Sequence, residues 1–305
     1  MEFKYKEDQK IRLDKFLTDS LPEQTRSQLK KIILSGQVSV NDQECSVHRW
    51  LKKDDVVKIS KNKTRVVKQE IPKKLQPSIV TQTEDYLIIE KPARLLVHPT
   101  EKLETDTLAD WLRDNFPGIE KIGDEPMRPG IVHRLDKDVS GLMVIALNNP
   151  SFDHLKKQFQ ERTIKKEYLA LVHGAMRESE GEINAPIERD RDTGLMKVQR
   201  VLKAGKTAIT TYKIEKKFIN YTLIKVQIKT GRTHQIRAHL YSIGHSIVGD
   251  TLYRTKNIRK KKKIVDDLRI FLHAHYLAFK DQENNLQTFK SDPPKSLQEF
   301  LNTIK

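Results

Sequence analysis

The stretch IVHRLDKDVSG, residues 131–141, packs a histidine, an arginine and two aspartates in front of a continuous apolar run, 142–147. A carboxylate at the mouth of a buried strand, Asp136, two residues after Arg134, is either part of a charged turn or a group that does chemistry. As chemistry, it can act as a nucleophile or take a proton. Three other stretches carry residues of the same kind: KPARLLVHP (91–99), KKEYLALVHG (165–174) and TGRTHQIRAHL (230–240). On spacing alone, Asp136 with Arg232 reads equally well as an ordinary buried salt bridge. Tyr168 has a second reading as a core tyrosine, because Leu169 and Leu171 alternate around it.

Several other chemistries do not fit. AGKT at 204–207 resembles the end of a phosphate-binding loop, but the upstream glycine position is Arg200. No Gly-rich dinucleotide fingerprint occurs. Cys45 is the only cysteine, which excludes an intrachain disulfide and a cysteine zinc site. His234, His239, His273 and His275 have no carboxylate cluster at ligand spacing around them, so neither a metal nor another cofactor is expected.

The elements that must position these residues fall into two regions. Leu13, Phe16, Leu17 and Leu21 recur at helical spacing. A second helical segment carries Leu29, Ile32 and Ile33 and ends at Gly36. Val38 and Val40 alternate before the turn signal Asn41-Asp42, and 56–59 reads as a closing strand. Residues 1–60 are therefore expected to form a small α/β module, with Arg12, Lys15, Arg26, Lys30 and Lys31 on basic polar faces. Residues 61–77, charged and proline-containing, read as a linker.

From residue 78 to 305 the pattern is β-rich. Strands are expected at 86–89, 141–147, 168–172 and around Ile224, Val226 and Ile228. Helices are expected near Thr105, capped by Thr105 or Asp106 with Leu108, Trp111 and Leu112 on one face, and over 153–162. The fold class expected is α+β, a mixed and mostly antiparallel sheet behind a small N-terminal module. The run Arg259–Lys263 reads as a solvated basic loop.

The chain has 305 residues with 57 Lys+Arg against 41 Asp+Glu, a formal net charge of +16. That balance favours a polyanionic partner, a nucleic acid or an acidic membrane surface. No signal-like or membrane-spanning apolar stretch occurs, so a soluble cytoplasmic protein without a membrane partner is expected. A monomer with no obligate protein partner is the simplest expectation.

Taken in order, the four stretches resemble the pseudouridine synthases of the large-subunit ribosomal RluA/RluC/RluD type. Residues 11–60 resemble the S-four-like RNA-binding domain that many members carry. The resemblance spans nearly the whole chain. It implies an isomerase that detaches uracil from ribose, turns it and reattaches it through carbon 5, with no cofactor. It implies Asp136 as the catalytic aspartate and Arg134 as the side chain that enters the RNA stack when the base leaves. Tyr168 is implied to lie beneath the base, Arg232 to pair with the aspartate, and Ile236 to line the pocket. His133 and His98 lie near these motifs, and His133 is counted with the substrate-binding residues. Large-subunit (23S) ribosomal RNA is the implied substrate, with transfer RNA as the alternative. A non-catalytic RNA-binding assembly factor and a base-releasing glycosylase are the rival functions. The sequence departs from the family pattern at three places: Arg94 stands where Lys-Pro-x-Gly has glycine, Val139 replaces a threonine, and Arg254 replaces a glycine.

Overall fold

The structure, a computed structural model, describes residues 1–9, 11–24, 29, 32–33, 37–45, 49–59, 75–99, 104–190, 193–199, 205–255 and 268–304. It divides into two compact units, Met1–Pro72 and Lys73–Lys305. Arg26, Lys30, Lys31, Gly36, most of the expected linker and the run 259–263 lie outside the described residues. Among the described residues, no helix is long and apolar enough to cross a membrane.

In the first unit, helix α1 (Leu13–Ser20) turns Leu13 and Leu17 into a core shared with Leu29, Ile33, Val38, Val40, Leu51 and Val57. A four-stranded sheet closes it in the order β1 (Glu2–Lys4), β6 (Val56–Ile59), β3 (Val38–Val40), β4 (Gln43–Glu44). A short pair, β2 (Ile11–Arg12) with β5 (Trp50–Leu51), lies outside that sheet. Asn41 and Asp42 both take positive φ, 53° and 61°, the geometry of a tight hairpin turn. Lys15 is exposed, whereas the Arg12 guanidinium forks onto the buried Asp14 carboxylate, Nε at 3.0 Å and Nη2 at 2.9 Å.

The second unit is built on a nine-stranded sheet. Its strands are β7 (Ser78–Gln82), β8 (Tyr86–Lys91), β9 (Ser140–Ala146), β10 (Lys165–His173), β11 (Glu180–Asn184), β14 (Ile209–Lys217), β15 (Tyr221–Ile228), β16 (Leu272–Lys280) and β17 (Leu286–Lys290). They run in the order β11-β14-β15-β10-β16-β9-β8-β7, with β17 also on β16. Every pairing is antiparallel except β16 with β9. A separate ribbon joins β12 (Ile187–Arg189) to β13 (Met196–Val198). Among the described residues, this unit also carries the helices α2 (Leu108–Asn115), α3 (Asn149–Glu161), α4 (Gln235–Ser242) and α5 (Lys295–Thr303).

Side-chain alternation decides how the sheet is covered. Leu87, Ile89, Met143 and Ile145 face one core with Leu108, Trp111 and Leu112 of α2, Ile236 and Leu240 of α4 and Leu297 of α5. Tyr86, Ile88, Leu142 and Val144 face a second core with Phe152 and Leu155 of α3. Both faces of β8 and β9 are buried, which is why those strands read as unbroken apolar runs. Helix α2 begins later than Thr105 suggests. Its cap is Thr107, whose side chain accepts from the Asp110 amide while Asp110 accepts from the Thr107 amide, a reciprocal capping box.

Candidate active site

Two close approaches carry the 131–141 stretch to the rest of the site. Gly141 holds φ +123°, and a Cβ there would stand 2.3 Å from the Ala274 carbonyl oxygen. Only glycine lets β9 approach β16 so closely. Ala274 pairs with Gly141 on one side and with Tyr168 on the other. The register of β10 against β16 shifts between Glu167 and Tyr168, a bulge of the kind that re-aims side chains. Three strands thus bring the Asp136 loop beside Tyr168.

The loop itself is pinned from below. Leu135 and Val139 are buried, and the Val139 amide donates to the Asp136 carbonyl at 3.1 Å. The Lys91 ammonium, fully buried, donates to the carbonyls of Pro92, Leu95 and Lys137 at 2.9, 2.9 and 3.1 Å. Three acceptors use its three hydrogens and tie the 91–95 turn to the Asp136 loop. Burial pushes this lysine down to about 7, against the pull of Asp136 and Asp138. In that turn Arg94 has φ +71°, a left-handed conformation that favours glycine, the residue the family pattern has at this position.

One hollow is lined by Asp136, Tyr168, Arg232, Arg134, Ile236 and His133 together, with Phe159, Lys166, His234 and Arg237 among its other walls. Tyr168 is nearly fully buried; burial first, then the nearby Asp136 carboxylate, pushes its phenol upward. The ring therefore meets a ligand as a neutral phenol. Arg134 is exposed and its Nη1 donates to His98 Nε2 at 3.0 Å, so the His98 proton sits on Nδ1 and is donated to the Pro99 carbonyl at 2.9 Å. His133 stacks on Phe159, ring centroids 4.6 Å apart, and its Nε2 accepts from the Val144 amide at 3.0 Å. Burial, followed by Lys166, pushes His133 down to about 3, so it is a neutral wall.

The arginine on the aspartate is not Arg232. Arg237 Nη1 lies 3.4 Å from Asp136 Oδ2. Arg232 lines the hollow, but its Nε donates to the Thr207 carbonyl at 3.2 Å. The reason is helical position. Arg232 lies in the turn before α4, where Gln235 Oε1 accepts its amide and the Thr230 hydroxyl. Arg237 lies inside α4, next to Ile236 on a turn buried on all sides.

Sequence reasoning also missed what holds Arg237. Asp250, fully buried, accepts Arg237 Nε at 2.7 Å and Nη2 at 2.9 Å, plus the amides of Leu252 and Tyr253. Burial disfavours both charges, but the pairing outweighs it: Asp250 is held below the usual carboxylate range and Arg237 above its own. The signal was the sequence GDTLYR, whose Gly249 has φ +76° with a Cβ position 2.3 Å from the Arg269 carbonyl. Tyr253 completes the wall. Its oxygen accepts the Met196 amide at 2.9 Å, and its hydroxyl meets His234 Nδ1 at 3.1 Å. Burial pushes His234 down, so it is neutral, and a Tyr253 hydrogen given to Nδ1 leaves its own proton on Nε2, 3.9 Å from Asp136 Oδ2.

The remaining histidines of interest are core residues. His239 Nε2 donates to the Ala185 carbonyl while Nδ1 meets the Thr210 hydroxyl. His273 sits between Ser140 and Ser291, and burial pushes it down to about 4. Among the described residues, no group of three or more His, Cys, Asp or Glu side chains is placed to hold a metal ion.

The mostly antiparallel sheet that carries this hollow has a counterpart among solved structures. Human RNA Pseudouridylate Synthase Domain Containing 1 superposes with a TM-score of 0.59 at 27% identity, over 73% of this chain and 87% of that one. Residues 85–242 match the RNA pseudouridylate synthase family, and residues 11–57 match the S4 domain. An uncharacterized RNA pseudouridine synthase of Aquifex aeolicus is 36% identical over 100% of this chain and 97% of its own length. The ribosomal large subunit pseudouridine synthase D of Buchnera aphidicola is 38% identical over 95% and 93%. The chain belongs to the RNA pseudouridylate synthase family, and it is an isomerase that converts uridine in RNA to pseudouridine.

Proposed function

We propose that this enzyme modifies uridine in large-subunit ribosomal RNA, with Asp136 as its catalytic carboxylate and with the target base flipped into the hollow. The observation that carries the reading is the meeting of Asp136, Tyr168, Arg237 and Ile236 around one hollow, from stretches a hundred residues apart. The ribosomal substrate rests on relatives named for it, at 33–38% identity. Residues 1–60 are read as an RNA-binding module, 61–77 as a linker and 78–305 as the catalytic domain. The enzyme is taken as a monomer acting in the cytoplasm, where such a substrate is made.

In this reading the uridine leaves its stack at a cost of a few kcal/mol. Arg134 gives up His98 to fill the gap, and its planar guanidinium stacks there. Tyr168 offers the flipped uracil a flat face, worth about 1–3 kcal/mol of stacking. Asp136, as nucleophile or as acceptor of a ribose proton, breaks the bond between N1 and the sugar. The base turns, carbon 5 bonds to the sugar, and the proton on carbon 5 is lost while N1 gains one. Arg237 aims the carboxylate, and Asp250 holds Arg237.

The test is tritium release to water from total RNA labelled at uridine carbon 5 and taken from cells lacking the modification. Release from the wild type and none from Asp136→Asn, with the loss mapped to large-subunit RNA, is expected. Release from transfer RNA alone overturns the substrate, free uracil identifies a glycosylase, and equal release from Asp136→Asn overturns the catalytic assignment.

A further inference from the structure

Beside the base hollow lies a second one, and the two share Phe159, Lys166, Ile228, Gly231 and Arg232 as walls. The second hollow adds Arg162 and Lys229, so among the described residues four cations line it and no carboxylate does. Lys229 reaches out to Glu182 at 3.0 Å. Lys166 is different: it is half-buried, and its ammonium lies over the Phe159 ring, 5.0 Å from the centroid. Burial alone pushes it down to about 8, with no neighbouring charge contributing. A partly dehydrated cation facing an open hollow is costly unless something anionic comes to it. Uracil is neutral, so the base cannot be that partner. Gly231, a wall of both hollows, has nothing within 4 Å of its Cβ position, so no side chain crowds the backbone there.

We propose that this second hollow is a subsite for one backbone phosphodiester of the substrate strand, beside the flipped uridine, with Lys166 as its principal contact and Arg162 and Arg232 at its rim. The assignment rests on the reading that the first hollow takes the target base. Lys166 and Tyr168 lie two residues apart on β10, roughly 7 Å along the strand. A nucleotide whose base stacks on Tyr168 thus leads its sugar–phosphate toward Lys166. The contact is ionic and carries no sequence information; it fixes the strand's register over Asp136.

The full-length protein is tested on transcripts of large-subunit ribosomal RNA by measuring the binding constant across a salt series and the single-turnover rate at saturation. Lys166→Met is expected to weaken binding about tenfold and to lower the slope of log K against log salt by about 1, with the loss in Kd rather than in the rate; Lys166→Arg restores both. Should Lys166→Met fail to fold, Arg162→Gln, on the exposed end of α3, is expected to lower the same slope. A single methylphosphonate linkage beside the uridine is expected to weaken the wild type but not Lys166→Met. An unchanged salt slope, or equal sensitivity of both proteins to the neutral linkage, overturns the proposal and leaves Lys166 a structural prop on Phe159. Inorganic phosphate competing with RNA while the neutral linkage has no effect points to a free-anion site and also overturns it. Binding is read without turnover, so a wild type that binds RNA but releases no tritium sinks the functional reading and not the subsite.

Discussion

Replacing Arg237 with methionine separates the two arginines that the TGRTHQIR stretch offers. The Arg237 side chain is 4% exposed and that of Asp250 0%. Methionine keeps much of the volume and strands the Asp250 carboxylate, which then retains only the amides of Leu252 and Tyr253. Removing one member of a buried pair costs about 3–5 kcal/mol. For a unit of this size that lowers Tm by roughly 6–20 °C. The chemistry loses the cation 3.4 Å from Asp136 Oδ2, and a preorganised electrostatic contact of that kind is worth about 10²–10³ in rate. Arg232→Met removes one hydrogen bond to the Thr207 carbonyl, about 1 kcal/mol of stability, and its effect is expected in RNA affinity. The assay is single-turnover tritium release at saturating RNA, at a temperature where both variants are folded by circular dichroism. A larger rate loss in Arg232→Met than in Arg237→Met refutes the assignment of the pairing arginine.

Gly141→Ala forces a Cβ to 2.3 Å from the Ala274 carbonyl at φ +123°, so β9 and β16 must part. A drop in Tm of several degrees and loss of activity are expected, and an unchanged Tm refutes the close approach. Arg94→Gly relieves a left-handed residue at φ +71° but gives the unfolded chain more freedom, so calorimetry should show a net gain of only about 0.5 kcal/mol. His133 binds its proton near 6.5 when unfolded and only near 3 when folded. Between those values the unfolded state holds more protons, so stability falls as pH drops from about 6.5 toward 3. His133→Gln, which keeps an acceptor for the Val144 amide, should flatten that part of the denaturation profile; an unchanged slope refutes the buried neutral histidine.

Local pattern was enough for the elements. The apolar runs at 86–89 and 141–147 read as strands, the second of them buried, and the structure makes both strands and buries them. Asp136 stood out because a carboxylate next to a buried strand is costly without a purpose. Composition alone told of a polyanionic partner. The pairing of Asp136 with Arg237 was beyond the sequence, because Arg232 and Arg237 share one motif. Only the start of α4, after the left-handed His234, decides which of them turns inward. Lys91, Asp250 and Tyr253 act through contacts across 46, 13 and 57 residues of chain. GDTLYR marks the turn that carries Asp250 and Tyr253, but the partners of these three residues have no local signature: a buried lysine reads as a surface one until three carbonyls converge on it. The residue types and their order came from the chain, while the choice between Arg232 and Arg237 was made by burial, which favours the charge that finds a buried partner in Asp250.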